Sequence, residues 1–308
     1  MGISRAALVV VLVAAGSSVA LPSAAVALAQ RMPAEERVAG AAPQTTPATP
    51  GPAGPTPSVA ASTPAASPSA AAPVDLAALP EARYDAVIPG LLEYSSPLVP
   101  ELSRVAYSLR GDAALSAEPG GTAVARFAAK NFLGEPTVVV RVALQGRWAL
   151  VLTPARSVLP SQNGGRAPAQ TAGWVRVEAL VHPVTLSKRI VISLSQRRLS
   201  IVAGDTVEQS FPVGVGTAST PTPQGVTGYL QARYLDPEQN QDRYPVQLSS
   251  LHSAAADEPF GGSDGGLIGI HYQRTSTGAV SHGCVRLPAE AVLAVDALPL
   301  GTAITITA

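Results

Sequence analysis

GGLIGIHYQRTSTGAVSHGCVRL, residues 265–287, contains the only cysteine of a 308-residue chain. In its first third Ile268 and Ile270 alternate as in a strand, so His271 is expected to project at a strand end. Its last third runs Ser281-His282-Gly283-Cys284, and Gly283 permits a tight turn that can present the following thiol to a cleft. The segments on both sides extend the β pattern. RIVISLS (189–195) alternates, and QRRLSIVAG (196–204) alternates again. Gly204-Asp205 then marks a hairpin before TVEQSFPVGVG. After Pro288 the pattern AEAVLAVDAL is helical, Pro299 to Gly301 stop it, and TAITIT closes the chain as a strand. Residues 187–308 are therefore expected to be mainly β, with one or two short helices.

A second β-rich region precedes this one. TVVVRVAL (137–144) and RWALVL (147–152) are apolar and β-branched and are separated by Gln145-Gly146. A Pro/Gly/Asn-rich loop (154–169) leads to GWVRVEALV (173–181), read as one half-buried strand. Closely spaced short strands with turns between them predict a small barrel over residues 76–183. Trp148 and Trp174 are candidates for a ligand groove, with core packing the alternative, above all for Trp174.

The N-terminal quarter is different material. Arg5 is followed by an uncharged stretch from Ala6 to Gln30 with the apolar heart AALVVVLVAAG, and Ala27-Leu28-Ala29 forms an A-x-A site. Residues 1–29 read as a secretory signal, with an uncleaved membrane anchor as the alternative. Either reading places the rest of the chain outside the cytoplasm. Within residues 33–74, ten of 42 positions are proline and thirteen alanine, and no aromatic occurs. Such a segment buries too little apolar surface to offset its ordering entropy, so residues 30–75 are expected to form an extended linker.

One cysteine permits no internal disulfide, so Cys284 is a free thiol. A structural reading makes it a small core hydrophobe. Against that stand the polar approach through Ser281 and His282, the turn at Gly283, and Arg286, a nearby cation expected to favour thiolate. A nucleophile needs a base in reach, and four histidines are available. His182 beside Pro183 and His252 in an alanine-rich loop read as surface residues, which leaves His271 and His282. His282 is closer in sequence, yet Gly283 is expected to break the extended geometry and turn His282 away, which favours His271. No H-E-x-x-H or C-x-x-C supports a metal, GGSDGG (261–266) lacks the ending of a phosphate loop and reads as a flexible flap, and no cofactor is implied. The formal net charge is zero and no basic patch stands out, which argues against nucleic acid.

The stretch from His271 through Ser281-His282-Gly283-Cys284-Val285-Arg286 resembles the signature of the L,D-transpeptidases, the YkuD-type catalytic domain. FPVGVGTASTPTPQG (211–225) and the closing GTAITI extend the likeness over roughly residues 187–307. Ser281 follows His271 by ten positions, a shorter gap than the family usually shows, and Tyr272 stands where glycine or serine is common. The order GRWALVL, glycine-rich loop, GWVRVEALV is similar to bacterial SH3-type modules found beside cell-wall enzymes. The resemblance implies an exported enzyme acting on peptidoglycan stem peptides, with a tetrapeptide donor and an amine acceptor. Cys284 would be the nucleophile and His271 the base, the Tyr272 carbonyl holding the second ring nitrogen. The backbone N–H groups of His282, Gly283 and Cys284 would form an oxyanion hole, with Ser281 in the supporting loop. Arg286 would brace that loop or meet a substrate carboxylate. Two alternatives stay open: an L,D-carboxypeptidase in which water replaces the acceptor, and a wall-binding protein with an inactive catalytic domain.

Overall fold

Eight short strands build the first sheet of the computed structural model, which describes residues 74–96, 101–255 and 266–308. The expected signal, nearly all of the linker and the flap up to residue 265 lie outside the described residues. The strands are β1 (Leu92–Glu93), β2 (Val105–Leu109), β3 (Ala113–Ser116), β4 (Ala123–Phe127), β5 (Val138–Gln145), β6 (Trp148–Thr153), β7 (Thr171–Arg176) and β8 (Leu180–Thr185). They pair in the order β4-β3-β7-β6-β5-β2-β8, with β1 added on β7. Alternation along them buries Leu115, Phe127, Val139, Val151 and Val175 in one core.

GWVRVEALV is two strands, not the single one its alternation predicts. The chain leaves β7 after Arg176, makes a 3-10 turn at Val177–Ala179, and pairs with β2 as β8. Non-local partners decide this: the Val177 N–H bonds the Arg147 carbonyl, and Glu178 pairs with Arg147. Both tryptophans are half-buried. The Arg176 guanidinium lies 4.4 Å from the Trp148 ring centre and covers it.

The second sheet has ten strands: β9 (Lys188–Ser193), β10 (Arg198–Ala203), β11 (Thr206–Pro212), β12 (Gly214–Gly216), β13 (Val226–Asp236), β14 (Gln241–His252), β15 (Leu267–Tyr272), β16 (Gly278–Ser281), β17 (Val285–Leu287) and β18 (Ala303–Thr307). Their order is β11-β10-β9-β18-β13-β14-β15-β17-β12-β16. The apolar positions of β9, β10, β15, β17 and β18 form a core that includes Ile190, Ile201, Ile270, Val285 and Ile304. Helix α1 (Ala289–Asp296) is the one α-helix among the described residues, and it buries Ala291, Val292 and Val295 on that core. Arg233 on β13 donates to the Asp296 and Leu298 carbonyls, satisfying acceptors that the helix end leaves open.

The two sheets are stitched by hydrogen bonds from both side chains and backbone. Ser250 Oγ donates to Gln170 Oε1 at 2.6 Å, and the Ala167 N–H bonds the Ala254 carbonyl. His252 is the main correction to the sequence reading. It is 3% exposed, because β14 carries it under the first sheet, where Arg156 donates to its Nδ1.

Candidate active site

β15 and β17 run parallel, with Ile270 opposite Val285, His271 opposite Arg286 and Tyr272 opposite Leu287. Side chains alternate across both strands. Ile268, Ile270, Val285 and Leu287 therefore face the core, while Gly269, His271, Cys284 and Arg286 share the opposite face. Gly269 is the key to that face. A Cβ placed there would lie 3.7 Å from Cys284 Sγ and 3.9 Å from His271 Cδ2. Thiol and imidazole thus flank one bare backbone position, and the missing side chain keeps the space between them open.

The imidazole is held by its far nitrogen. His271 Nδ1 lies 3.0 Å from the Tyr272 carbonyl, an acceptor, so Nδ1 carries the proton and Nε2 is the basic atom. Nε2 adjoins Cδ2, the ring edge next to Gly269 and the thiol. Gln241, at the start of β14, donates from Nε2 to the same Tyr272 carbonyl at 3.0 Å. Its 3.5 Å approach to His271 Nδ1 sets two donors side by side, so the carbonyl is their shared acceptor. Tyr272 packs against Tyr244 with the rings tilted and their centres 4.9 Å apart, which fixes the strand end that supplies this carbonyl.

The turn before the thiol is braced on both sides. Gly283 has φ of +105°, a conformation that side chains rarely adopt, and a Cβ there would press on Ile268. Ser281 Oγ closes the turn by donating to the Cys284 carbonyl at 2.5 Å. From outside, Thr220 Oγ1 donates to the Ser281 carbonyl at 3.0 Å and Thr222 Oγ1 to the Gly283 carbonyl at 2.7 Å. Thr222 Oγ1 in turn accepts the Gly216 N–H at 2.9 Å. The Thr-Pro-Thr-Pro stretch is therefore the strut of the turn that carries Cys284.

Electrostatics favour a neutral pair. Burial pushes the Cys284 thiol above its ordinary value, and the Gly269 N–H and Arg286 pull it down by less. This corrects the expectation that Arg286 would favour thiolate: the cation acts in that direction, but desolvation is larger. Burial likewise lowers His271, with Arg286 adding to it and the Tyr272 bond opposing it. A protonated thiol beside an unprotonated imidazole is the resting state, and the imidazole is ready to accept a proton. The S–H points towards the Leu267 carbonyl, 3.8 Å away.

Other sequence candidates fall as follows. His282 is exposed, whereas Cys284 is half-buried. Arg286 is half-buried on the face of the thiol, and no partner reaches its buried Nε. His182 is exposed, and His252 belongs to the contact between the sheets. Sequence reasoning missed Gln241, Gly269, Thr220 and Thr222. The two threonines lie within FPVGVGTASTPTPQG, which carries part of the family likeness, and Gln241 carries no local signal.

Residues 187–306 match the family model of the YkuD L,D-transpeptidase catalytic domain. The chain is similar to a putative L,D-transpeptidase YkuD of Bacillus licheniformis, 28% identical over 149 residues that cover 48% of this chain and 81% of that one. Among solved structures, an L,D-transpeptidase from Mycobacterium smegmatis is 15% identical with a TM-score of 0.31, over 56% of this chain and 91% of that one. The Ldtfm–avibactam carbamoyl enzyme is 17% identical with a TM-score of 0.29, and the match spans 42% of this chain and about half, 52%, of that one.

Proposed function

We propose, from the L,D-transpeptidase catalytic domain that residues 187–306 carry, that the chain is an exported enzyme that cross-links peptidoglycan stems through a thioester on Cys284. The observation that carries this reading is the shared face of Cys284 and His271 across the bare Gly269 position.

In the first half-reaction Cys284 Sγ attacks the carbonyl carbon of the third stem residue as its proton passes to His271 Nε2. Backbone N–H groups of the Ser281–Cys284 turn face the oxygen as it becomes anionic, where losing one donor typically costs about 3 kcal/mol. The bond to the terminal D-alanine breaks, its nitrogen takes the proton from His271, and a thioester remains. In the second half-reaction an amine of a neighbouring stem attacks the thioester and gives a proton to His271 Nε2. The carbon–sulfur bond breaks, and the sulfur takes that proton back. The Tyr272 carbonyl supports this cycle by holding Nδ1–H throughout, so the ring neither flips nor changes tautomer between steps.

Muropeptide separation after expression in a wall-forming host tests the reading. Dimers joined between third residues, absent with Cys284→Ala, support it. Tripeptides without dimers mean that water is the acceptor and the enzyme is a carboxypeptidase. An unchanged profile favours a wall-binding role without catalysis.

A further inference from the structure

A cleft of about 810 Å³ opens on the other flank of the nucleophile turn, away from His271. That volume lies within the range of small-molecule sites, roughly 300–1,000 Å³. One wall comes from the first sheet's long loop at Arg166, which bridges to Ala255, and the other from the turn between β9 and β10 at Arg197. The floor is Gly216, Pro221 and Thr222, the strut of the nucleophile turn.

Three observations define what such a cleft would take. Among the described residues neither aspartate nor glutamate lines it, while Arg166 and Arg197 both do. Both arginines are exposed, and among the described residues no hydrogen bond or ion pair engages either guanidinium, so both cations at the cleft are open to a ligand. Arg197 also has φ of +50°, at a turn position where glycine or asparagine is ordinary. An exposed arginine that borders the cleft and is held in a disfavoured backbone conformation points to a task for that side chain.

We propose that this cleft is a subsite for the carboxylate-bearing part of a peptidoglycan stem, gripped by Arg166 and Arg197. The inference rests on the transpeptidase reading for the identity of the peptide. Arginine suits the task because its planar fork matches a carboxylate with two parallel hydrogen bonds. The site also adjoins the support of the turn that carries Cys284. Thr222 Oγ1 bonds the Gly283 carbonyl, and the Pro221 carbonyl lies 3.7 Å from the point where a Gly283 Cβ would stand. A stem seated in the cleft therefore lies against the residues that set the nucleophile turn. The first sheet, by supplying Arg166, is part of the substrate site.

The test uses the full chain carrying Cys284→Ala, so that binding is measured without turnover. A fluorescent tetrapeptide stem is titrated against its counterpart with every carboxylate converted to a carboxamide. At low salt the acid form is expected to bind about ten-fold more tightly, equivalent to about 1.4 kcal/mol. Arg166→Gln with Arg197→Gln should abolish that preference. Equal binding of the two peptides, or a preference that survives the double substitution, overturns the proposal. In the background that retains Cys284 the double variant should raise KM with kcat unchanged, and a fall in kcat alone also overturns it. Arg197→Gly, which relaxes the backbone while removing the charge, should bind as weakly as Arg197→Gln, and full binding by it counts against the site. Alkylation of Cys284 by uncharged iodoacetamide should proceed at the parent rate in the double variant. Failure of the parent chain to turn over any stem would sink the catalytic reading instead, and the peptide titration would still decide the cleft.

Discussion

Arg156 and His252, 96 positions apart, meet under the first sheet, with the guanidinium Nε–H donating to imidazole Nδ1 at 3.0 Å. Arginine only donates, so Nδ1 is the acceptor, and His252 Nε2–H donates to the Pro154 carbonyl at 2.7 Å. Both imidazole nitrogens are committed to the uncharged ring. Burial and the neighbouring cation lower its pKa to about 3.

This contact should make the chain less stable in acid. Unfolded His252 takes up a proton near pH 6.5, whereas the folded ring resists until about pH 3. Its contribution is fully present above pH 6.5 and is lost as pH falls towards 3, at roughly 1.4 kcal/mol per pH unit. Urea unfolding at pH 7 and about pH 4.5 should show about 2–3 kcal/mol of loss from this residue. His252→Asn keeps an acceptor for Arg156 and cannot titrate. It should be less stable at pH 7 yet lose correspondingly less on acidification. An identical loss in parent and variant would refute the assignment.

Gly269→Ala tests the open space between thiol and base. The added Cβ meets Sγ at 3.7 Å and His271 Cδ2 at 3.9 Å, ordinary contact distances, so the fold should tolerate it. It would still stand between the two reacting groups, where a displacement of about 1 Å can cost about a hundred-fold. Kinetics on a stem peptide should show kcat reduced by about that factor, with KM little changed and the melting temperature near the parent's. A parent-like kcat would show that proton transfer does not cross this space.

The β framework was legible because side-chain alternation is a local property. RIVISLS, RLSIVA and LIGIHY each bury their alternate apolar positions, and TAITIT is buried over nearly its whole length. The Ser-His-Gly-Cys turn was legible because glycine and the lone thiol are informative by identity. What stayed hidden depends on register between distant strands. His252 resembled a loop residue because its partner Arg156 lies far upstream. Gln241 reaches the Tyr272 carbonyl only because β14 lies beside β15. The break after Arg176 was invisible because VRVEALV alternates straight through it, and pairing with β2 alone imposes the turn.

Thr222→Val removes one hydroxyl and with it two hydrogen bonds, one from the half-buried Gly216 N–H and one to the buried Gly283 carbonyl. Thr222 is 4% exposed, so water does not readily replace them. Each orphaned group costs about 1–3 kcal/mol, so denaturant unfolding should report a loss within or above that range. The turn that carries Cys284 should also lose its geometry, and acylation of Cys284 by a stem peptide should slow by more than the unfolded fraction explains. Thr222→Ser keeps the hydroxyl and should restore both properties. A serine variant that resembles the valine one would assign the effect to packing of the lost methyl group.

The choice of base is decided by comparing two histidines across pH. His271 is lowered by burial, so it is already neutral at neutral pH, and the acid limb of thiol acylation should lie below the ordinary histidine value. The thiol is raised, so without a base its reactivity should climb only as pH passes above the usual thiol range. His271→Ala should therefore lower acylation at neutral pH by about 10²–10⁴-fold, the usual weight of a general base. It should also convert the plateau into a rate that rises with pH throughout. His271→Gln tests whether the ring is merely a spacer, and it should be as inactive as the alanine variant. His282, exposed on the far side of Gly283, should behave differently: His282→Ala should keep the acid limb where the parent has it, even if the turn loosens and the plateau falls. The shape of the profile, not its height, separates base from scaffold. If the acid limb disappears in His282→Ala and persists in His271→Ala, the base is His282, and the bare position at Gly269 needs another explanation.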